Sequence, residues 1–212
     1  MLKSMTKEQK VQVFAWGLTA TATAVAVIAW GETYGWRMSR LSIYQLFPLL
    51  GLVAFSVMWS HYVVGVTRRL LGVEKAAVAL YFEVTASVVL GAILLHPGLL
   101  AWQLWLDGFG LPPGSEWNYV EPAARWAILF GFTALSLFLL FEFRRFYDKR
   151  PWWKYVEYLS DGAMVLIYFH ALRLGGTLQI GWFRAIWYFY GLTFFGSLVY
   201  IYYQKRRQQL SD

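Results

Sequence analysis

The chain of 212 residues has no cysteine, three histidines, six prolines and only 15% charged residues, where a soluble domain carries about a quarter. Without a thiol there is no disulfide scaffold, thiolate zinc site, cysteine-ligated iron–sulfur cluster, blue-copper centre or cysteine nucleophile. Neither a GxGxxG fingerprint nor a Walker pattern occurs. Chemistry in this chain must therefore come from histidine, carboxylates or a bound cofactor. What fills the sequence instead is apolar: 58% hydrophobic and 20% aromatic residues, with 12 Trp, give a mean hydropathy of +0.44. That balance makes lipid the expected solvent. The length fits one helical bundle and leaves no room for a separate nucleotide-binding domain of ordinary size.

Crossing a hydrocarbon core of about 30 Å takes roughly 20 apolar residues in a helix, because lipid offers no partner to an unpaired backbone amide. Six such runs lie between charged segments, at about 11–30, 43–66, 76–95, 123–141, 155–172 and 182–203. They predict an all-α, polytopic membrane protein, a single transmembrane domain over 1–212 built as a six-helix bundle. The first run follows Lys3, Lys7 and Lys10 as a signal core would. It is too long for one, however, and Trp30-Gly31-Glu32-Thr33 is not a small-residue cleavage site. The apolar stretch 98–106 begins after Pro97 and is too short to cross. It reads as an interfacial segment entering the polar loop 107–121.

Fourteen of the 19 basic residues fall on one side of these spans, among them Lys3, Lys7, Lys10, Arg68, Arg69, Arg144, Arg145, Arg206 and Arg207. The other side receives Arg37, Arg40, Arg125, Arg173 and Arg184. This asymmetry predicts cytoplasmic N and C termini in a plasma or inner membrane. It also accounts for the net charge of +7 through attraction to anionic lipid, so nucleic acid is not called for as a partner. Clusters such as Trp152-Trp153 read as interfacial belts rather than electron relays.

Ionisable side chains inside spans are costly, which makes them functional candidates. They are His61 in the second span, Glu83 and His96 in the third, and Glu157, Asp161 and His170 in the fifth. In a six-span topology the third and fifth helices run the same way, so His96 and His170 reach the same outer depth. Two neutral imidazoles at one depth suit a bis-axial haem, each giving one ring nitrogen to iron and hydrogen-bonding through the other. Arg173, an outer-edge cation, is suited to a haem propionate. Either histidine alone fits a plain hydrogen bond to a neighbouring helix equally well.

Residues 50–56 (LGLVAFS), 68–72 (RRLLG), 94–100 (LLHPGLL) and 169–175 (FHALRLG) resemble the ferric reductase-like transmembrane domain. That superfamily includes ferric reductases, the membrane half of NADPH oxidases and the haem subunit of the periplasmic methionine sulfoxide reductase system. The resemblance covers the second through sixth helices. Members typically stack two haems across the bilayer, with an inner and an outer histidine on each of helices three and five. The resemblance implies that His96 and His170 ligate an outer haem b. The family's inner positions fall at Glu157 and at Phe82, beside Glu83, and neither is histidine. Phenylalanine cannot ligate iron and a carboxylate is a poor axial partner for a low-spin haem, so one haem and a modified inner site are expected.

His61 precedes Arg68 by seven residues, about 10 Å along a helix, and Glu83 follows Lys75 at a matching depth. His61, Glu83 and Glu157 are thus candidates for an additional metal ion, an atypical haem ligated through His61, or proton carriage. They equally suit a structural polar cluster, which Asp161 can join. On a straight helix Glu157 lies about 140° round from His170, whereas Phe82 lies about 40° from His96.

The leading expectation is a haem-b electron-transfer protein of the membrane, with one bis-histidine haem near the outer face. With no flavin or nicotinamide domain, its electrons come from a separate flavoprotein or a quinol. It would then be the membrane subunit of an oxidoreductase, or the membrane portion of a longer fused reductase. Two other classes stay open: a haem-free proton or ion transporter using Glu83, Glu157, Asp161 and His61, and a non-redox scaffold subunit.

Overall fold

The computed structural model describes residues 5–37, 39, 41–147, 149–179 and 181–210. Lys3 and Arg40, which enter the charge asymmetry, lie outside the described residues, as do the side chains of Arg144 and Arg145. Among the described residues the chain is helical, with no strand. The helices are α1 (Lys7–Thr33), α2 (Ile43–Leu70), α3 (Ala79–Leu106), α4 (Gly114–Tyr119), α5 (Arg125–Glu142), α6 (Arg144–Tyr147), α7 (Trp153–Leu174) and α8 (Gly181–Gln209).

Local chemistry sets the ends. Thr6 starts α1 with a capping box: its hydroxyl accepts from the Gln9 amide at 3.3 Å, and Gln9 Oε1 accepts from the Thr6 amide at 3.0 Å. α2 and α3 stop at Gly72 (φ +67) and Gly108 (φ +84), left-handed positions suited to glycine. The residue after each glycine then donates back, Val73 to the Arg68 carbonyl at 2.8 Å and Phe109 to the Leu104 carbonyl at 2.9 Å.

α3 departs from the expected boundary. Its helix continues through Pro97 to Leu106, so residues 98–106 are not a separate segment. A proline removes one backbone donor and bends a helix but need not end it, even with a glycine after it. Here Gly98 keeps a helical φ and the helix runs on to Leu106, stopping only at Asp107-Gly108, where Gly108 takes the left-handed φ of +84.

Five helical segments are long and apolar enough to cross a membrane: Lys7–Thr33, Ile43–Leu70, Lys75–Leu106, Pro122–Glu142 and Gly181–Gln209. α7 is long enough, but its first half carries Lys154, Glu157 and Asp161. Outward faces are apolar as well: Leu192 is 74% exposed and Val199 70%. A surface of this kind belongs in lipid rather than water.

The chain divides into two compact units, Met1–His96 with Ile180–Asp212, and Pro97–Gln179. In the first, α1 offers a small-residue stripe, Ala15, Thr19, Ala22, Ala26 and Ala29, all buried, and packs on α2. Small side chains let two helix backbones approach closely, which is the main source of helix association in lipid. α2 also packs on α8, and every residue from Ala54 to Ser60 is buried. The α2–α8 seam is aromatic. Phe55 stacks on Trp187 and Trp59 on Tyr190, each with ring centroids 4.2 Å apart, while Trp59 Nε1 donates to the Thr193 hydroxyl at 2.8 Å. In the second unit α5 packs on α7, with Ala127, Gly131 and Ala134 spaced four and three residues apart on one face of α5.

Candidate functional site

In the first unit, α3 buries Tyr81, Thr85, Val89 and Ala92, and His96 continues that helical stripe. Its imidazole is half-buried and its Nδ1 lies 2.7 Å from the carbonyl oxygen of Phe47 on α2. A carbonyl only accepts, so Nδ1 carries the proton, and in the neutral ring the lone pair is on Nε2. The Phe47 ring flanks the imidazole, centroids 5.3 Å apart. Gly51, one turn further along α2, lies directly under the ring: a Cβ at that position would be 2.9 Å from His96 Cε1.

The second unit repeats this arrangement with different residues. His170 on α7 donates from Nδ1 to the Ala127 carbonyl of α5 at 2.7 Å. Gly131, again one turn later, would place a Cβ 2.8 Å from His170 Cε1. Both histidines are therefore held in the same tautomer by the same backbone device. Arg173, one turn after His170, forms an ion pair with Glu121.

His61 is held differently. Its Nε2 lies 2.6 Å from the Thr85 hydroxyl, and that hydroxyl donates to the Tyr81 carbonyl. The single hydroxyl proton is thus used, Thr85 accepts from His61, and Nε2 carries the imidazole proton. Phe82 and Tyr81 pack edge-on against the ring at 5.2 and 5.6 Å. Behind Tyr81 its phenol meets Thr19 and Ser60, with all three oxygen pairs at 2.8 Å. Glu83 is on the exposed face of α3. On α7, Glu157 is exposed and Asp161 half-buried, while Val156, Ala163 and Met164 take the buried face. Among the described residues, no three His, Asp or Glu side chains gather as a metal-ion site.

Reasoning from residue types did not anticipate the partners of these rings. Two of them, Phe47 and Ala127, act through backbone carbonyls, which leave no trace in side-chain identity. The glycines leave a faint one: Gly131 is the only glycine of α5, and an isolated glycine inside an apolar helix often marks close approach. Comparison with family models, curated proteins and solved structures gave no match.

Proposed function

We propose that this chain is a haem-b electron-transfer protein of the membrane, in which His96 and His170 would hold one haem iron through Nε2. The observation that carries the reading is the shared tautomer. Each Nδ1–H is committed to a backbone carbonyl at 2.7 Å, the outer-shell contact that orients a metal-binding imidazole and raises its basicity. His61, by contrast, bonds through Nε2.

When bound, the haem supplies a one-electron iron couple. The protein's part is to present two preoriented imidazoles and to exclude water, and Arg173 offers a cation for a propionate. In this reading α7 is a sixth span, both termini are cytoplasmic, and the haem lies towards the outer face of a plasma or inner membrane. A separate flavoprotein or a quinol would supply its electrons. The modified inner positions, Phe82 and Glu157, hold no second haem of ordinary form.

Pyridine haemochrome and elemental analysis of the purified protein test this directly. One haem b per chain and no other metal is the expected result. A colourless protein that takes up no added haem refutes it and leaves the transporter or scaffold class.

A further inference from the structure

We propose that Gly51 and Gly131 are positioning residues for the imidazoles of His96 and His170. Each forms one wall of a two-point cradle whose other point is a carbonyl oxygen one turn earlier on the same helix. The consequence at iron rests on the haem reading above, whereas the cradle is a property of the chain's own residues.

The two cradles match closely. The carbonyl and the glycine are four residues apart in each, Phe47 with Gly51 and Ala127 with Gly131, which stacks them on one helix face. A methyl at Gly51 would lie 2.9 Å from His96 Cε1 and 3.0 Å from Nδ1, and at Gly131 the distances to His170 would be 2.8 and 2.9 Å. Carbon atoms ordinarily approach to about 3.5–4 Å. The ring would have to retreat by about 0.5–1 Å at that contact, and its Nδ1 already bonds a carbonyl of the same helix at 2.7 Å. Retreat from the methyl therefore strains or breaks the bond that fixes the tautomer. Other glycines of these helix pairs impose no such constraint: a Cβ at Gly65 of α2 or Gly162 of α7 meets nothing within 4 Å. No imidazole lies against them, so they serve as controls.

The experiment uses the full chain in lipid nanodiscs, labelled with 15N-histidine, as wild type, Gly51→Ala, Gly131→Ala, Gly65→Ala and Gly162→Ala. Imidazole nitrogen shifts before haem loading report the tautomers. Wild type and controls should show His96 and His170 protonated at Nδ1. Gly51→Ala should mix the tautomers of His96 alone and Gly131→Ala those of His170 alone, so the undisturbed histidine certifies the fold in each case. Haem titration should then show affinity about 10–100-fold weaker in these two variants, with an altered low-spin electron paramagnetic resonance signal and unchanged controls. Wild-type tautomers and wild-type haem behaviour in both variants would overturn the proposal. Site-selective tautomer loss in a protein whose wild type takes up no haem would keep the cradles and remove the haem reading. If one variant fails to accumulate, the other carries the same test from a separate unit.

Discussion

His96 and His170 on one side and His61 on the other are the same residue type in the same apolar setting, yet opposite ring nitrogens are engaged. The first two donate from Nδ1 to main-chain carbonyls across a helix pair. His61 donates from Nε2 to a threonine hydroxyl that is itself committed to its own helix. A side-chain hydroxyl can be removed by mutation and can rotate, whereas a helix carbonyl cannot. In the haem reading proposed above, this difference would separate an imidazole that offers Nε2 to iron from one that completes a packing interface. Which ring nitrogen bonds the protein is therefore what sets His96 and His170 apart from His61.

The largest effect should come from deleting the rings. His96→Ala or His170→Ala is expected to abolish the Soret band of the purified protein, whereas His61→Ala should retain one haem per chain. Equal loss in all three would erase the difference between His61 and the other two histidines, and persistence of the haem in His170→Ala would mean a different ligand.

Much of this was legible in the sequence, and the limits have physical causes. Apolar runs of about 20 residues located the long helices because lipid permits little else. Pro97 misled because a missing donor looks the same whether the helix bends or ends; the stop signal was Gly108, eleven residues later. His96 and His170 stood out as rare ionisable groups near the ends of apolar spans. Depth along a helix is a one-dimensional reading, however. It matched His61 with Glu83 but carried no information on rotation, and the rotation brings Thr85 to His61 and leaves Glu83 on the exposed face.

A smaller effect should follow from Thr85→Val, which keeps shape and removes the acceptor of His61. Leaving a buried N–H unpaired costs about 1–3 kcal/mol, and in a membrane about 1 kcal/mol is the better expectation because the unfolded helices find other partners. Denaturation in detergent should register that loss with haem content unchanged. Tyr81→Phe, which opens the hydroxyl cluster with Thr19 and Ser60, should cost a similar or smaller amount. A loss of haem in either variant would tie the His61 region to the site and weaken the contrast.

The smallest expected change sharpens the comparison most. Arg173 lies one turn beyond His170, and its side chain is 39% exposed beside a Glu121 that is 64% exposed. A pair this open should contribute well under about 1 kcal/mol to stability, so neither Arg173→Gln nor Glu121→Gln should move the unfolding midpoint much. Their effects on a haem potential should nevertheless differ in sign. Reduction adds one negative charge at the iron, which a nearby cation favours and a nearby anion opposes. Arg173→Gln should lower the midpoint potential and Glu121→Gln raise it, both more visibly at low salt, where screening is weaker. Shifts of the same sign, or none at low ionic strength, would make the pair a surface contact with no bearing on the haem.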